Sequence, residues 1–166
     1  MATDTQVRPP ASSTASPWVA LALFGLAVAV AAGLGGIAAA GSSQEYRGLD
    51  QPPFAPPSWL FGPVWTVLYV LIAVAGWLSW RAAGVDVATG WWGAQLVLNA
   101  AWTPIFFAAG EYGWALVEIL VLLAVLAVTV AAIRRRSTTA AWLMAPYVAW
   151  VGFATLLNAS IWWLNR

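Results

Sequence analysis

The side chains of this sequence that could do chemistry sit in its most apolar stretches. The segment "NAAWTPIFFAAGEYGW", residues 99 to 114, brings an amide (Asn99), an indole (Trp102), a hydroxyl (Thr103) and a proline (Pro104) within six residues. At 100° per residue, Asn99, Trp102, Thr103 and Phe106 fall in a stripe about 100° wide. Trp114, Glu118 and Val121 share a second face, and Trp150, Ala154, Leu157 and Asn158 share a third. Faces that mix aromatic, small and polar groups gain nothing from lipid tails, so they look inward. The chemistry on offer is stacking on a flat apolar molecule, each aromatic pair adding about 0.5–1.5 kcal/mol beyond its buried area. Glu118 is the one acid clearly inside an apolar segment. It reads as a polar anchor or proton carrier in a pocket, or equally as a carboxyl satisfied by a neighbouring helix or by interfacial water. Asn99 and Asn158 read first as hydrogen-bond links between helices and second as ligand contacts.

Other chemistries lack their residues. The chain has no histidine and no cysteine, and all seven of its cations are arginine. Zinc, iron–sulfur and His- or Cys-ligated haem sites are thereby excluded. No nucleophile–base pair is visible, and a net charge of +1 points to no nucleic-acid partner. Neither a metal nor a bound cofactor is expected.

The elements that hold these residues must be membrane helices. Hydrophobic residues make up 62% of the 166 and charged residues only 8%, far below the roughly 25% of soluble domains. Crossing about 30 Å of hydrocarbon takes roughly 20 apolar residues, and five segments qualify. They run over about 17–40, 59–80, 91–108, 112–133 and 140–164. The fold class expected is an all-α integral membrane protein, a bundle of five transmembrane helices in one domain over 17–166. Residues 1–16 are rich in Ser, Thr, Pro and Ala and read as a disordered tail. The first span exceeds the 7–15-residue core of a secretory signal and reads as a retained helix. Its small residues form two rows, Ala27, Ala31, Gly35 and Ala39, and Gly25, Ala29 and Gly33. Such rows let backbones approach closely, within the bundle first and in a dimer second.

Five spans put the termini on opposite sides of the membrane. Arg8, Arg81, Arg134, Arg135 and Arg136 then share a side against Arg47 and Arg166. That asymmetry places the N-terminus in the cytoplasm and the C-terminus outside, if the membrane is the plasma membrane. The triple arginine reads as a topology anchor rather than a lipid-binding site. On the non-cytoplasmic side lies the one long connection, 41–58, stiffened by Pro52, Pro53, Pro56 and Pro57. The polar–aromatic stripes, with Trp59 and Trp65 at the head of the second span, converge on that same end. The expected geometry is an aromatic pocket beneath a stiff lid.

These residues carry a likeness. "PPFAPPSW", "FGPVWTVLY", "NAAWTPIFF", "GWALVE" and "PYVAWVGFATLLN" occur in an order and spacing that resembles the TspO/MBR family of translocator proteins and tryptophan-rich sensory proteins. The resemblance runs from about Trp18 to the C-terminus. It implies five membrane helices, binding of porphyrins and similar hydrophobic ligands, and frequent homodimers. It puts pocket positions at Trp102, Phe106, Trp114, Trp150, Ala154 and Leu157, and the family acid at Glu118. Phe54 and Trp59 join this candidate site from the lid and the second span, with Asn99 and Asn158 at its polar edge. The sequence departs from the family pattern at Glu45 and Phe54, which stand where tryptophan is usual. Loss of the tryptophan at 45 weakens the implication of light-driven porphyrin breakdown. Ala159 stands where a sterol-recognition pattern needs tyrosine, which argues against sterol handling.

The first reading is therefore a protein that lies in the lipid bilayer and binds, translocates or senses porphyrin-like molecules. Two others stay open: a light-dependent porphyrin-degrading enzyme, from which the sequence leans away, and a ligand-sensing regulatory membrane partner.

Overall fold

A computed structural model describes residues 16–166. The reading of the tail before Ser16, and the charge of Arg8, lie outside the described residues. The chain forms α1 (Pro17–Ala38), α2 (Ser42–Gly48), a 3-10 turn (Ser58–Leu60), α3 (Phe61–Ala83), α4 (Val87–Thr103), a π-helical segment (Pro104–Ala108), α5 (Tyr112–Arg134) and α6 (Thr138–Leu164). No strand occurs among the described residues. Four helices are long and apolar enough to cross a membrane: α1, α3 with its 3-10 turn, α5 and α6. Regular α-helix in α4 stops at 17 residues, short of a full crossing, and the π segment extends it.

The long helices close a ring in the order α1, α3, α6, α5, α4 and back to α1, with a lighter contact of α3 on α4. Small residues set the spacing. The indole of Trp92 lies against Gly76, where an added Cβ would stand 2.6 Å from the ring. Trp92 Nε1 donates to the Ile72 carbonyl at 2.9 Å, tying α4 to α3. The outer faces are apolar as well: Leu23, Leu26, Val30 and Leu34 on α1 and Val117, Leu120 and Val121 on α5 are exposed. Lipid, rather than water, is the solvent that suits such a surface.

Each end of the bundle has its own fastening. At the arginine end, Asp86 caps α4, accepting from the N–H groups of Ala88 (2.9 Å) and Thr89 (3.2 Å). Its other oxygen pairs with Arg136 Nε at 2.7 Å, which joins the α3–α4 and α5–α6 turns. Desolvation works upward on the Asp86 carboxyl, but the Thr89 and Ala88 amides and Arg136 together hold it below its ordinary value. At the opposite end the π segment finishes in Gly110, whose φ of +65° suits a residue without Cβ.

Pro104 explains the π segment. Its ring removes the N–H that would bond the Ala100 carbonyl and crowds that turn. A proline at mid-segment frees a carbonyl and favours a kink. The helix answers by widening, so that Ala109 N–H donates to the Pro104 carbonyl, five residues back, at 2.9 Å. The long 41–58 connection opens with the seven-residue helix α2.

Candidate functional site

A cavity of about 430 Å³ occupies the ring at the end covered by α2 and the proline loop. That size lies within the roughly 300–1,000 Å³ of small-molecule sites. Three aromatic walls face it. Trp65 on α3 stacks on Tyr69 with ring centroids 5.2 Å apart. Trp102 on α4 stacks on Phe106 in the π segment at 4.8 Å and 25°. Trp150 on α6 packs edge-on to Phe61 at 5.9 Å. The widened turn after Pro104 brings Phe106 and Phe107 into the lining beside Trp102.

Two asparagines of the wall are bonded to residues of the neighbouring helices. Tyr69 Oη donates to Asn99 Oδ1 at 2.9 Å, and Asn99 Nδ2 donates to Tyr147 Oη at 3.0 Å. Trp102 Nε1 donates to Asn158 Oδ1 at 3.2 Å, and Asn158 Nδ2 donates to the Tyr112 carbonyl at 2.9 Å. Each amide thus joins three helical segments. Asn99 links α4 to α3 and α6; Asn158 links α6 to α4 and α5.

Of the residues the sequence singled out, Asn99, Trp102, Phe106, Trp150, Ala154, Leu157 and Asn158 line the cavity together. Four others do not. Trp114 is 68% exposed, because α5 turns Ala115, Ile119 and Leu122 inward and Trp114 stands about 100° from Ala115. Trp59 is 70% exposed on the 3-10 turn, where the chain has not yet entered α3. Phe54 is also exposed, its ring edge-on to that of Phe153 with centroids 6.2 Å apart. Glu118 is half-buried off the cavity, and neither of its carboxyl oxygens has a hydrogen-bond partner among the described residues.

Several lining residues were not predicted for the site. Tyr69 lines the cavity and, with the fully buried Tyr147 behind the wall, supplies the phenols that hold Asn99. A tyrosine in an apolar helix gives little periodic signal, since its polar atom lies at the tip. Tyr46 of α2 plugs the end of the bundle among Phe106, Ala115, Leu157 and Ile161. Its hydroxyl donates to the Pro56 carbonyl at 3.3 Å, its own carbonyl accepts from Gln51 Nε2, and burial pushes the phenol above its ordinary value. Gly35 and Ala39 of the first small-residue row also line the cavity. A Cβ on Gly35 would lie 3.4 Å from Thr103 Oγ1, so that row packs within the bundle. The second row differs: open space surrounds Gly25 and Gly33.

The lid is fastened at its far side. Asn165, just past α6, accepts from Asp50 N–H at 3.0 Å and donates to the Asp50 carbonyl at 3.0 Å. Gly36, Gly62 and Thr66 border the cavity while remaining exposed, so it is open sideways between α1 and α3.

The TspO/MBR family model matches residues 18–164. The chain is 39% identical over 154 residues to the translocator protein of Homo sapiens, covering 89% of this chain and 91% of that one. It is 38% identical over 128 residues to the tryptophan-rich protein TspO of Chlorobaculum tepidum, covering 75% and 81%. To the tryptophan-rich sensory protein of Cereibacter sphaeroides it is 35% identical over 120 residues, covering 72% and 76%. A ring of apolar helices, an aromatic cavity under a proline-rich lid and a match over nearly its whole length all agree: this multi-pass membrane protein belongs to the TspO/MBR family.

Proposed function

We propose that the chain is a receptor or carrier for flat, hydrophobic molecules of the porphyrin class, held in the cavity beneath the lid. The observation that supports this reading is the pairing of three aromatic walls with two asparagines whose amides are already bonded within the bundle. Such a site favours stacking and apolar burial over fixed charge. Its sideways opening between α1 and α3 suits a ligand that partitions into lipid. The functional unit proposed has five crossings, with α4 and its π segment together making the fifth. The arginine end, with Arg81 and Arg134 to Arg136, is assigned to the cytoplasm by charge asymmetry.

The test is a titration of the purified protein with protoporphyrin, followed by quenching of its tryptophan fluorescence. Wild type is expected to saturate. Ala154→Phe, which fills the cavity from α6, is expected to abolish saturable quenching while leaving the helical circular dichroism unchanged. Saturable quenching that survives in Ala154→Phe would place the ligand elsewhere.

A further inference from the structure

A groove of about 470 Å³ lies on the outside of the α5–α6 pair, at the arginine end and away from the central cavity. Ala141, Ala145 and Ala149 recur along it once per turn of α6, with Val130 of α5 and Trp142 beside them. Arg134 and Thr138 stand at its mouth. From Thr138 to Ala149 the helix rises about 16 Å, close to the roughly 15 Å of one leaflet of the hydrocarbon core. In a membrane protein a groove on this face is covered by a lipid chain or by another helix.

Charge decides between them. Arg136 is engaged by Asp86, and Arg81 lies 4.7 Å over the ring of Trp77. Arg134 is exposed and takes part in no ion pair or hydrogen bond among the described residues. Among the described residues no carboxylate lines the groove, and Thr138 starts a 27-residue helix whose N-terminal end favours negative charge. Among the described residues a second copy would bring no free counter-charge to this face. The sole acid at this end among the described residues is Asp86, already paired, so two copies meeting here would set arginine against arginine. A phosphate meets the requirement, since the guanidinium fork binds its oxygens two at a time. Trp142, 73% exposed, adds the amphipathic ring favoured at headgroup depth.

We propose that this groove is a binding site for an anionic phospholipid, with one acyl chain along Ala141, Ala145 and Ala149 and the headgroup phosphate on Arg134. The triple arginine is then more than an anchor: Arg136 ties two turns together and Arg134 holds a lipid.

The experiment places the full chain in nanodiscs of phosphatidylcholine containing a minor fraction of brominated-chain lipid. That lipid is either phosphatidylglycerol or phosphatidylcholine. The signal of Trp142 is the difference between wild type and Trp142→Phe. Quenching by the brominated anionic lipid is expected to exceed that by the zwitterionic lipid, with an enrichment on the order of five-fold for one engaged arginine. Arg134→Gln should abolish the preference and Arg135→Gln should leave it. Ala145→Phe, which fills the groove but keeps Arg134, should also abolish it. The proposal is overturned by equal quenching from both lipids, or by a preference that survives Arg134→Gln or Ala145→Phe. The chain has no native cysteine, so Ala145→Cys gives a single reporter. Efficient disulfide dimerisation of that variant in the membrane would assign the groove to a second copy and overturn the proposal as well.

Discussion

Trp102→Ala is the sharpest test of the cavity. The indole stacks on Phe106 at 4.8 Å and shows its other surface to the cavity. Its loss removes one stacking partner of a flat ligand, about 1 kcal/mol. It also removes about 50 Å² of apolar contact, about 1.2 kcal/mol at 25 cal/mol per Å². Under the proposed function the two together should raise the Kd for protoporphyrin about 40-fold, at 1.4 kcal/mol per tenfold. Tryptophan quenching can still report the binding, because Trp65 and Trp150 remain in the lining. Trp102→Phe separates ligand contact from scaffold. It keeps an aromatic face but orphans Asn158 Oδ1, at a stability cost of about 1 kcal/mol. The phenylalanine variant should therefore bind within about five-fold of wild type, although it melts earlier. Trp114→Ala, on the exposed side of α5, should leave affinity unchanged. A Trp102→Ala protein that binds as wild type does, or a Trp114→Ala protein that loses binding, would refute the assignment of the walls.

Three further outcomes follow from individual contacts. Gly76→Ala drives a Cβ to 2.6 Å from the Trp92 ring; overpacking of this kind costs about 1–3 kcal/mol and should lower the Tm by several degrees in a thermal melt. Asn165→Ala releases the two hydrogen bonds to Asp50, so stopped-flow binding should show ligand entry and exit accelerating together while the Kd changes less than either rate. Asp86 has a folded pKa below its unfolded one, so its contribution to stability is present above the unfolded carboxylate range and disappears as pH falls through the folded value. Asp86→Asn keeps a capping oxygen but no charge, and melts taken across the acid range should show a weaker pH dependence than wild type.

Much of this architecture was legible in the sequence because lipid imposes a simple rule on it. Apolar runs near twenty residues marked α1, α3, α5 and α6, and the observed bounds fall within a few residues of those expected. Polar residues inside such runs had to be satisfied, which pointed to Asn99 and Asn158 as links between helices. Helical phase placed Trp102, Phe106, Ala154 and Leu157 on shared faces, and the ring brings those faces to one cavity. Phase says which residues of a helix lie together but not which way that face turns. Trp114 and Glu118 do share a face of α5, yet the neighbours of α5 in the ring bury the Ala115–Ile119 side instead. The lid was legible as stiff, but proline spacing carries no information about α2 or about Tyr46 reaching in among Phe106 and Leu157. The widening at Pro104 needed the fold too, since a proline in a helix can bend, end or widen it.

The bonding of the wall has a consequence for selectivity. Asn99 uses its oxygen on Tyr69 and its amide on Tyr147, while Asn158 uses its oxygen on Trp102 and its amide on Tyr112. Both asparagines are buried, so a ligand that claimed either would displace a bond whose former partner has no water to turn to. Polar recognition at these amides therefore yields little net gain. For the ligand class proposed, discrimination then rests mainly on ring size, flatness and fit between the aromatic walls. A hydrophobic pocket of that kind rejects isosteres weakly, by far less than a site built to hydrogen-bond its ligand. The same four bonds that hold α3, α4, α5 and α6 at their spacing leave neither amide free to select a ligand, which under the proposed function favours a range of flat hydrophobic molecules over one.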